Sequence, residues 1–350
     1  MNKLTKVGLS ALCGSLASVA ANAGTMEVLG GATATWTSNS GQTSGNPIGM
    51  VSGVTFKGSG ELDNGTSFTL TLTGADQAGY SSGSINIDTP SMGSFNINQA
   101  TGGNGIGGYD DKMPTAWEET WGFGMGTGID MPKGVSSSMN IQYSTPRVAG
   151  IMLKAAVAPG SNNATAVNDK TASGDGGTYK SSGYDLVADI NPSFGIDALS
   201  GLNIFVGGSH SDTHKEHSLS KGNTGDHEEA VAGATFAYGP VTIGYQRSIE
   251  MTGLETAGAV EYYQNNIFGI SFNINDNLSI SYGEVESTKH LQGSGTTDKR
   301  IEMDAESIQV AYTMGGMSLK IAEGEVTNAS YSSASSADHD GTTVALSLAF

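Results

Sequence analysis

Apolar and polar residues alternate strictly along almost the whole sequence, and this pattern constrains the fold more than any other feature. Phe68, Leu70 and Leu72, for example, occupy every second position, and only serine and threonine separate them. A period of two residues places successive side chains on opposite faces of a β-strand, whereas a helix shows a period of 3.6 residues. The helical period is almost absent, so the sequence predicts an all-β fold.

Sixteen segments carry the alternating pattern. Short turns such as Asp63-Asn64-Gly65 and Gly315-Gly316 alternate with long polar stretches such as 159–182 and 211–228, which is typical of a meander whose two ends face different surroundings. The predicted strands are residues 25–37, 50–62, 66–75, 83–89, 93–99, 135–145, 150–158, 182–191, 200–210, 229–238, 240–250, 258–272, 277–287, 303–314, 316–327 and 341–350. An even number of such strands fits a closed barrel.

Composition and charge exclude several classes of protein. The chain has 350 residues, 51 of them glycine, and its formal net charge is −18. Nucleic-acid binding requires clustered Lys and Arg, so this acidic chain argues against a nucleic-acid partner. Glycine does not recur at every third position, which excludes a collagen-like triple helix.

The first 23 residues have the pattern of a secretory signal peptide. Two lysines precede an apolar stretch over residues 7–20, and Ala21-Asn22-Ala23 supplies the small-x-small sequence that signal peptidase cleaves. We predict a signal peptide over residues 1–23 and a mature β-barrel over residues 24–350. The single cysteine, Cys13, lies in the predicted signal peptide, so the mature chain would be stabilised without disulfides.

Three features favour a transmembrane barrel over a soluble β-sandwich. Charged residues fall mostly on the polar phase of the strands, aromatic residues lie at strand ends on the apolar phase, and the last alternating segment ends on Phe350. Aromatic girdles mark the interfaces of transmembrane barrels. The girdle residues are Trp36, Tyr143, Tyr238, Tyr312 and Phe350. The predicted fold class is therefore an all-β, sixteen-stranded antiparallel transmembrane β-barrel.

The signal peptide, the sixteen strands, the acidic cysteine-free mature chain and the terminal Phe350 together resemble the general diffusion porins of Gram-negative bacteria. The resemblance covers the whole mature chain, but it is one of architecture and no short motif carries it. It implies an outer-membrane location, contact with outer-membrane lipids and lipopolysaccharide, and a homotrimer. It also implies a passive water-filled channel for small hydrophilic solutes and ions, with no enzymatic step, cofactor or metal. The alternatives are a substrate-specific porin and, from another class, a secreted β-rich adhesin or surface protein.

The resemblance further implies that the long segment after the fifth strand, at about residues 100–134, folds into the barrel and narrows it. This segment contains Trp117, Trp121 and Phe123, whose apolar side chains suit packing on an inner wall better than exposure to water. The candidate constriction and selectivity residues are Asp110, Asp111, Lys112, Glu118 and Glu119 in the segment, and Lys57, Asp88, Lys154 and Lys320 on the strands.

The charges on the polar phase predict a preference for cations. Further carboxylates on that phase are Glu27, Glu61, Asp185, Asp189 and Glu261. Fixed negative charge inside a narrow pore concentrates cations. Asn96 and Asn98 stand where porins usually place arginines opposite the loop, so we do not expect a strong transverse field.

Three local patterns resemble chemical sites, and each has a simpler interpretation. Gly79-Tyr80-Ser81-Ser82-Gly83 matches the nucleophile-elbow pattern but lies in a loop between strands, without a strand-to-helix turn. The glycines at 103, 105 and 108 match a dinucleotide fingerprint, but no amphipathic helix follows them. Four histidines that could bind Zn or Cu lie in or beside one loop, which we interpret as solvated. These histidines are His210, His214, His217 and His227.

Overall fold

Sixteen strands form one closed antiparallel barrel in this computed structural model, which describes residues 23–40, 45–76, 79, 81–135, 139–161, 181–192, 196–212, 225–293 and 299–350. Each strand pairs with its neighbours in sequence, and β1 closes the barrel against β16. The strands are β1 (Ala23–Asn39), β2 (Ile48–Glu61), β3 (Ser67–Ala75), β4 (Ser82–Thr89), β5 (Gly93–Gln99), β6 (Asn140–Ser144), β7 (Ile151–Ser161), β8 (Ser181–Ile190), β9 (Leu202–Ser211), β10 (His227–Tyr238), β11 (Val241–Met251), β12 (Val260–Asn275), β13 (Leu278–Leu291), β14 (Lys299–Met314), β15 (Met317–Thr327) and β16 (His339–Ala349). The predicted fold class and strand number are confirmed.

Short 3-10 helices lie in the connections of the described chain. They span Gly105–Tyr109, Asp197–Leu199, Ala329–Tyr331 and Ser335–Ala337. No helix in the described ranges is long and apolar enough to cross a membrane. The predicted signal peptide lies outside the described residues except for Ala23, which begins β1, and it stays a prediction.

Most predicted strand boundaries lie close to the observed ones, and the largest difference has a structural cause. The sequence predicts the sixth strand over residues 135–145, whereas β6 spans only Asn140–Ser144. The backbone N–H of Val135 donates to both carboxylate oxygens of Asp185 on β8, at 3.3 and 3.2 Å. Because its N–H is bound to this side chain, Val135 does not take part in the strand pairing of β6. The contact lies inside the barrel, where the segment before β6 packs on the wall.

The two phases of the strands form two different surfaces. On β3, the threonines at 69, 71 and 73 face the lumen, and Leu70 and Leu72 are exposed on the outside. Alternation on a closed barrel places one phase inside and the other outside on every strand. The girdle residues Trp36, Tyr238, Tyr312 and Phe350 are exposed on the outer face, and Tyr143 is half-buried there.

Three neighbouring strands, β13 to β15, depart from the expected separation of charge. Gln309 faces the interior of the barrel, so alternation turns Glu306 on the same strand outward. Glu306 is paired directly with Glu284 on β13 and with Glu325 on β15. The outward carboxylates are Glu284, Glu286, Glu302, Asp304, Glu306, Glu323 and Glu325. The expectation that the apolar phase is mostly free of charge is wrong for these three strands, in the half nearest the long loops.

The seam between β1 and β16 includes the terminal residue. Phe350 donates its N–H to Gly30 O (2.9 Å) and accepts from Gly30 N–H (3.1 Å). The ring of Phe350 covers Gly30 so closely that a Cβ at Gly30 would lie 2.4 Å from Phe350 Cζ. Glycine at this position therefore lets the terminal ring pack on the seam.

Deletion of Phe350 should lower the yield of folded barrel and its thermal stability. The deletion removes two backbone hydrogen bonds from the closing seam, which together contribute about 1–3 kcal/mol. The measurement is the fraction of heat-resistant, fast-migrating protein after refolding in detergent. Phe272→Ala, which trims an exposed phenylalanine of β12 away from the seam, is the control. Equal yields for the deletion and the control would contradict a role of the terminal residue in closure.

Candidate functional site: the inner loop and the lumen

The segment between β5 and β6, residues 100–139 and here called L3, enters the barrel and is anchored first to its own flanking strands. The Asn104 side chain donates to Asn96 Oδ1 (3.1 Å) and to Asn140 Oδ1 (2.7 Å). Gly105 N–H donates to Gln142 Oε1 at 2.8 Å. L3 thus covers Asn96, one of the two uncharged residues at the positions where the resemblance to porins implies arginine.

Two aspartates of β8 hold L3 deeper in the barrel. Ile106 N–H donates to Asp185 Oδ2 (2.9 Å), and Val135 N–H donates to the same carboxylate, so Asp185 ties both ends of L3 to one strand. The Tyr109 hydroxyl donates to Asp189 Oδ2 at 2.9 Å. Asp185 has no exposed surface. The expectation that Asp185 contributes to a charged lumen is therefore wrong, because L3 covers its carboxylate.

The middle of L3 is bound to two of the last strands of the chain, β14 and β16. Gln309 on β14 accepts from Trp117 N–H (3.2 Å) and Glu118 N–H (3.0 Å), and its amide donates to Glu118 O (2.7 Å). Further along, Thr343 on β16 donates to Phe123 O at 2.9 Å. L3 thus runs along the inner wall from β5 to β16 and returns.

Apolar side chains of L3 pack on the same wall. Ile106, Phe123 and Met125 are buried in one cluster with wall residues such as Phe205 and Val285, and Trp117 and Trp121 pack against its edge. Burial of this area favours the docked position of L3 by the hydrophobic effect. The aromatic and methionine content of L3 is accounted for by this contact.

Glycines on successive strands form the surface on which L3 rests. A Cβ at Gly269 would lie 2.8 Å from Pro114 O, and one at Gly283 would lie 2.2 Å from Thr120 Oγ1. The wall glycines closest to L3 are Gly207, Gly244, Gly269, Gly283, Gly324 and Gly341. Side chains at these positions would hold L3 away from the wall, so the glycines permit its close approach.

The predicted charged residues of L3 lie in two groups. In the first, Lys112 Nζ lies 3.2 Å from Asp111 Oδ1, and Lys112 and Lys154 approach the Tyr109 ring, with Nζ 5.8 and 4.8 Å from its centroid. In the second, Lys320 Nζ lies 5.8 Å from the Trp117 ring centroid, beside Glu118 and Glu119. The structure thus brings Lys154 and Lys320 to L3. Lys57 on β2 and Asp88 on β4 lie on the facing wall.

Two carboxyl groups of L3 hold protons more tightly than usual. Burial and the nearby Asp111 carboxylate raise the pKa of Asp110 to about 7. Burial and the hydrogen bond with Glu119 raise the pKa of Glu118 to about 8. Carboxyls in a desolvated site beside like charges resist ionisation. L3 therefore carries less negative charge at neutral pH than its composition indicates.

Comparison with known proteins finds similar solved structures but no similar sequence family. No protein-family model and no curated protein matches the sequence. Among solved structures, OmpF of Salmonella typhi in complex with daunomycin is 13% identical, with a TM-score of 0.64, over 93% of this chain and 97% of that one. An anion-selective porin from Comamonas acidovorans is 13% identical, with a TM-score of 0.59, over 93% and 99%. The trimer form of OmpT, an outer membrane protein of Vibrio cholerae, is 9% identical, with a TM-score of 0.60, over 93% and 99%.

The chain has the porin fold. One of these porins is described as anion-selective, so the sixteen-stranded barrel does not by itself determine the sign of the preferred ion. Selectivity must be argued from the residues of this chain.

Sequence reasoning missed several residues that shape the interior of the barrel. Arg147, in the turn after β6, forms an ion pair with Asp189 at 2.6 Å. The guanidinium therefore compensates the negative charge of Asp189. Glu261 is paired with His290 at 2.7 Å, and His290 stacks on Tyr262 on the outward phase of the strands. Gln246 and Gln309 hold L3 through its backbone. A neutral amide on the polar phase gives the same sequence pattern whether it faces water or a docked loop. Alternation therefore could not identify Gln246 and Gln309 as partners of L3.

The patterns that resembled chemical sites have structural explanations. The Ser81 hydroxyl donates to Thr73 O at 3.0 Å, which is a turn contact. His210 faces outward beside Tyr184, whereas His227 shares the inward phase of Glu229. His214 and His217 lie outside the described residues.

Replacing Gln309 with leucine should loosen the middle of L3. The change leaves three backbone groups at Trp117 and Glu118 without their partner, and each such group costs about 1–3 kcal/mol when it stays buried. We expect a lower unfolding temperature and faster protease cleavage near Glu118, measured by mass spectrometry of limited digests. Gln264→Leu changes the outward phase of β12 and should leave cleavage unchanged. Cleavage of Gln309→Leu at the rate of the unmodified protein would contradict the anchoring role.

Proposed function

We propose that this protein is an outer-membrane porin, a passive water-filled channel for small hydrophilic solutes and ions. The observation that carries the proposal is the position of L3, which lies on the inner wall while β2 to β4 face it across the lumen. A sixteen-stranded barrel is too wide for its own side chains to fill, so an inner loop narrows the passage and leaves it open.

The facing wall suits the passage of polar solutes. The hydroxyls of Thr55 and Thr73 on this wall are 3.1 Å apart, and those of Thr33 and Ser347 at the adjoining seam of β1 and β16 are 2.9 Å apart. Hydroxyls both donate and accept hydrogen bonds, so they can replace water around a polar solute whatever the sign of the solute's charge. Lys57 lies among these hydroxyls, opposite Glu27 on β1.

Passage through the proposed channel requires no chemical step. Size would be selected between L3 and the hydroxyl-lined wall, and charge by the residues that remain uncompensated there. Such a channel needs no cofactor, and no substrate has to be oriented for reaction.

The balance of charge supports a moderate preference for cations. The pairs Asp111–Lys112 and Arg147–Asp189 compensate each other. When they are ionised, Asp110, Glu118 and Glu119 outnumber Lys154 and Lys320 beside L3. Because two of these carboxyls have raised pKa values, the preference should depend on pH.

The outer face of β1 to β3 and β16 supports a homotrimer. Ala32 and Ala34 present small residues there, and Val54 and Leu72 on β2 and β3 are exposed apolar side chains. Small residues allow close approach of a second barrel. The Vibrio cholerae protein of the same fold is described in a trimer form. The rest of the apolar outer face would contact membrane lipid, with lipopolysaccharide at the outer leaflet.

Replacing residues 110–119 with a short Gly-Ser link should raise single-channel conductance in a planar bilayer and the size limit for neutral sugars. The change removes the part of L3 that carries both charged groups. Replacement of the exposed residues 255–258 between β11 and β12 is the control and should leave conductance unchanged. Unaltered conductance and sugar permeation in the L3 variant would place the constriction elsewhere.

Cation preference should be larger at pH 9 than at pH 6. The pKa values of Asp110 and Glu118 are raised to about 7 and about 8, so both carboxyls are mainly protonated at pH 6 and ionised at pH 9. The measurement is the reversal potential under a KCl gradient at both pH values. The effect should fade at high salt, since the Debye length is already about 8 Å at 0.15 M.

Two variants distinguish the effect of a carboxylate on L3 from that of a carboxylate on the outer surface. Asp110→Asn should reduce the difference between pH 6 and pH 9, whereas Glu306→Gln removes an outward carboxylate and should not. An anion-signed or zero potential at pH 9 and low salt would overturn the predicted selectivity while leaving the channel itself intact.

A further inference from the structure

Three potential metal ligands meet on the inner wall, beside the end of L3 that returns to β6. His227 Nε2 lies 3.0 Å from Glu250 Oε1 and 3.9 Å from Glu229 Oε1. One ligand atom from each residue lies within 4.8 Å of the other two. Glu229 and Glu250 are directly opposed across β10 and β11, and His227 precedes Glu229 by two positions on the same face.

The two carboxylates repel each other across the strand pair, and the imidazole of His227 lies beside both. The Glu229 side chain is 3% exposed and that of Glu250 is 12% exposed. Like charges opposed across a strand pair are destabilising, and burial increases their repulsion. Lys133 is near, but its ammonium group pairs with Asp130 at 3.0 Å and is largely exposed.

One oxygen of the cluster lacks a hydrogen-bond partner. Glu250 Oε2 is buried and has none among the residues that the structure describes. Glu229 is different, because its oxygens accept from Lys133 N–H (3.1 Å) and Gly134 N–H (2.5 Å) of L3. A buried carboxylate oxygen without a donor is a costly arrangement that a bound cation would relieve.

We propose that His227, Glu229 and Glu250 form a binding site for a divalent transition metal ion of the zinc type. Zinc takes imidazole nitrogen and carboxylate oxygen at ~2.0–2.2 Å, so tetrahedral ligands stand about 3.4 Å apart. The observed 3.0 and 3.9 Å bracket that spacing. The imidazole favours zinc over magnesium and calcium, which prefer oxygen ligands alone.

The position of the site gives the ion a structural role. Glu229 would hold the metal and, through its hydrogen bonds, the backbone of Lys133 and Gly134, as the outer contacts of metal ligands commonly do. The His227 side chain is 36% exposed, which leaves access from the solvent side. The ion would therefore tie the returning end of L3 to β10 and β11. This site does not depend on the proposed transport function.

A labelling experiment on the unmodified barrel tests the site without any variant. After EDTA treatment in detergent, the protein is exposed to diethyl pyrocarbonate with and without micromolar ZnCl2, and modified histidines are located by mass spectrometry. Zinc should protect His227 at least tenfold and leave His210 equally reactive. His210 belongs to an exposed outward cluster with Asp212 and Asp226, so protection of His210 alone, or of neither histidine, would overturn the proposal.

Calorimetric titration with ZnCl2 provides the second test. Glu250→Gln keeps the shape of the side chain and should weaken zinc binding at least tenfold, as should His227→Ala, while millimolar MgCl2 should not compete. His210→Ala is the matched control, and His214→Ala with His217→Ala removes the other histidines of the loop. Folding of each variant is checked by heat-dependent gel mobility. Zinc affinity that is unchanged in Glu250→Gln, or that is lost in either control, would refute the assignment.

Discussion

L3 depends on the barrel wall for the partners of its own backbone. Over its described residues, 100–135 and 139, it has only one short 3-10 helix, Gly105–Tyr109, so most of these amides and carbonyls cannot bond within a helix or sheet. Buried backbone groups without partners are costly. Side chains of the wall supply those partners, as Asp185, Gln309 and Glu229 do for Ile106, Glu118 and Gly134. The inward phase of the strands from β8 to β16 is therefore adapted largely to L3 and only in part to the lumen.

This dependence divides the interior into two unlike halves. Beneath L3 the wall combines amides and carboxylates with glycines such as Gly269 and Gly283, which let the loop lie against the strands. The facing wall from β2 to β4 carries small hydroxyl side chains and Lys57. The high glycine content of the sequence is thus explained in part by close packing of a loop on a sheet. The unpartnered oxygen of Glu250 lies at the edge of the L3 half, where the loop returns.

The architecture could be predicted from the sequence, because an alternation of period two is a local property. The predicted fifth strand, 93–99, coincides with β5. The docking of L3 could not be predicted in the same way, since its contacts join residues far apart in the chain, as between Glu118 and Gln309. Alternation identified Asp185 as inward but could not show that a loop would cover it. It also failed on β14, where Glu306 lies on the phase expected to be apolar.

The charge of the whole chain is consequently a poor guide to the field in the channel. A formal charge of −18 includes the outward carboxylates of β13 to β15, which the barrel wall separates from the lumen. Of the inward carboxylates, Asp185 is buried under L3 and Asp189 is paired with Arg147. The balance then rests on a few groups beside L3, and two of these, Asp110 and Glu118, have pKa values raised to about 7 and about 8. The same burial that fixes L3 on the wall thus makes the charge at the narrowest part of the proposed channel depend on protons near neutral pH.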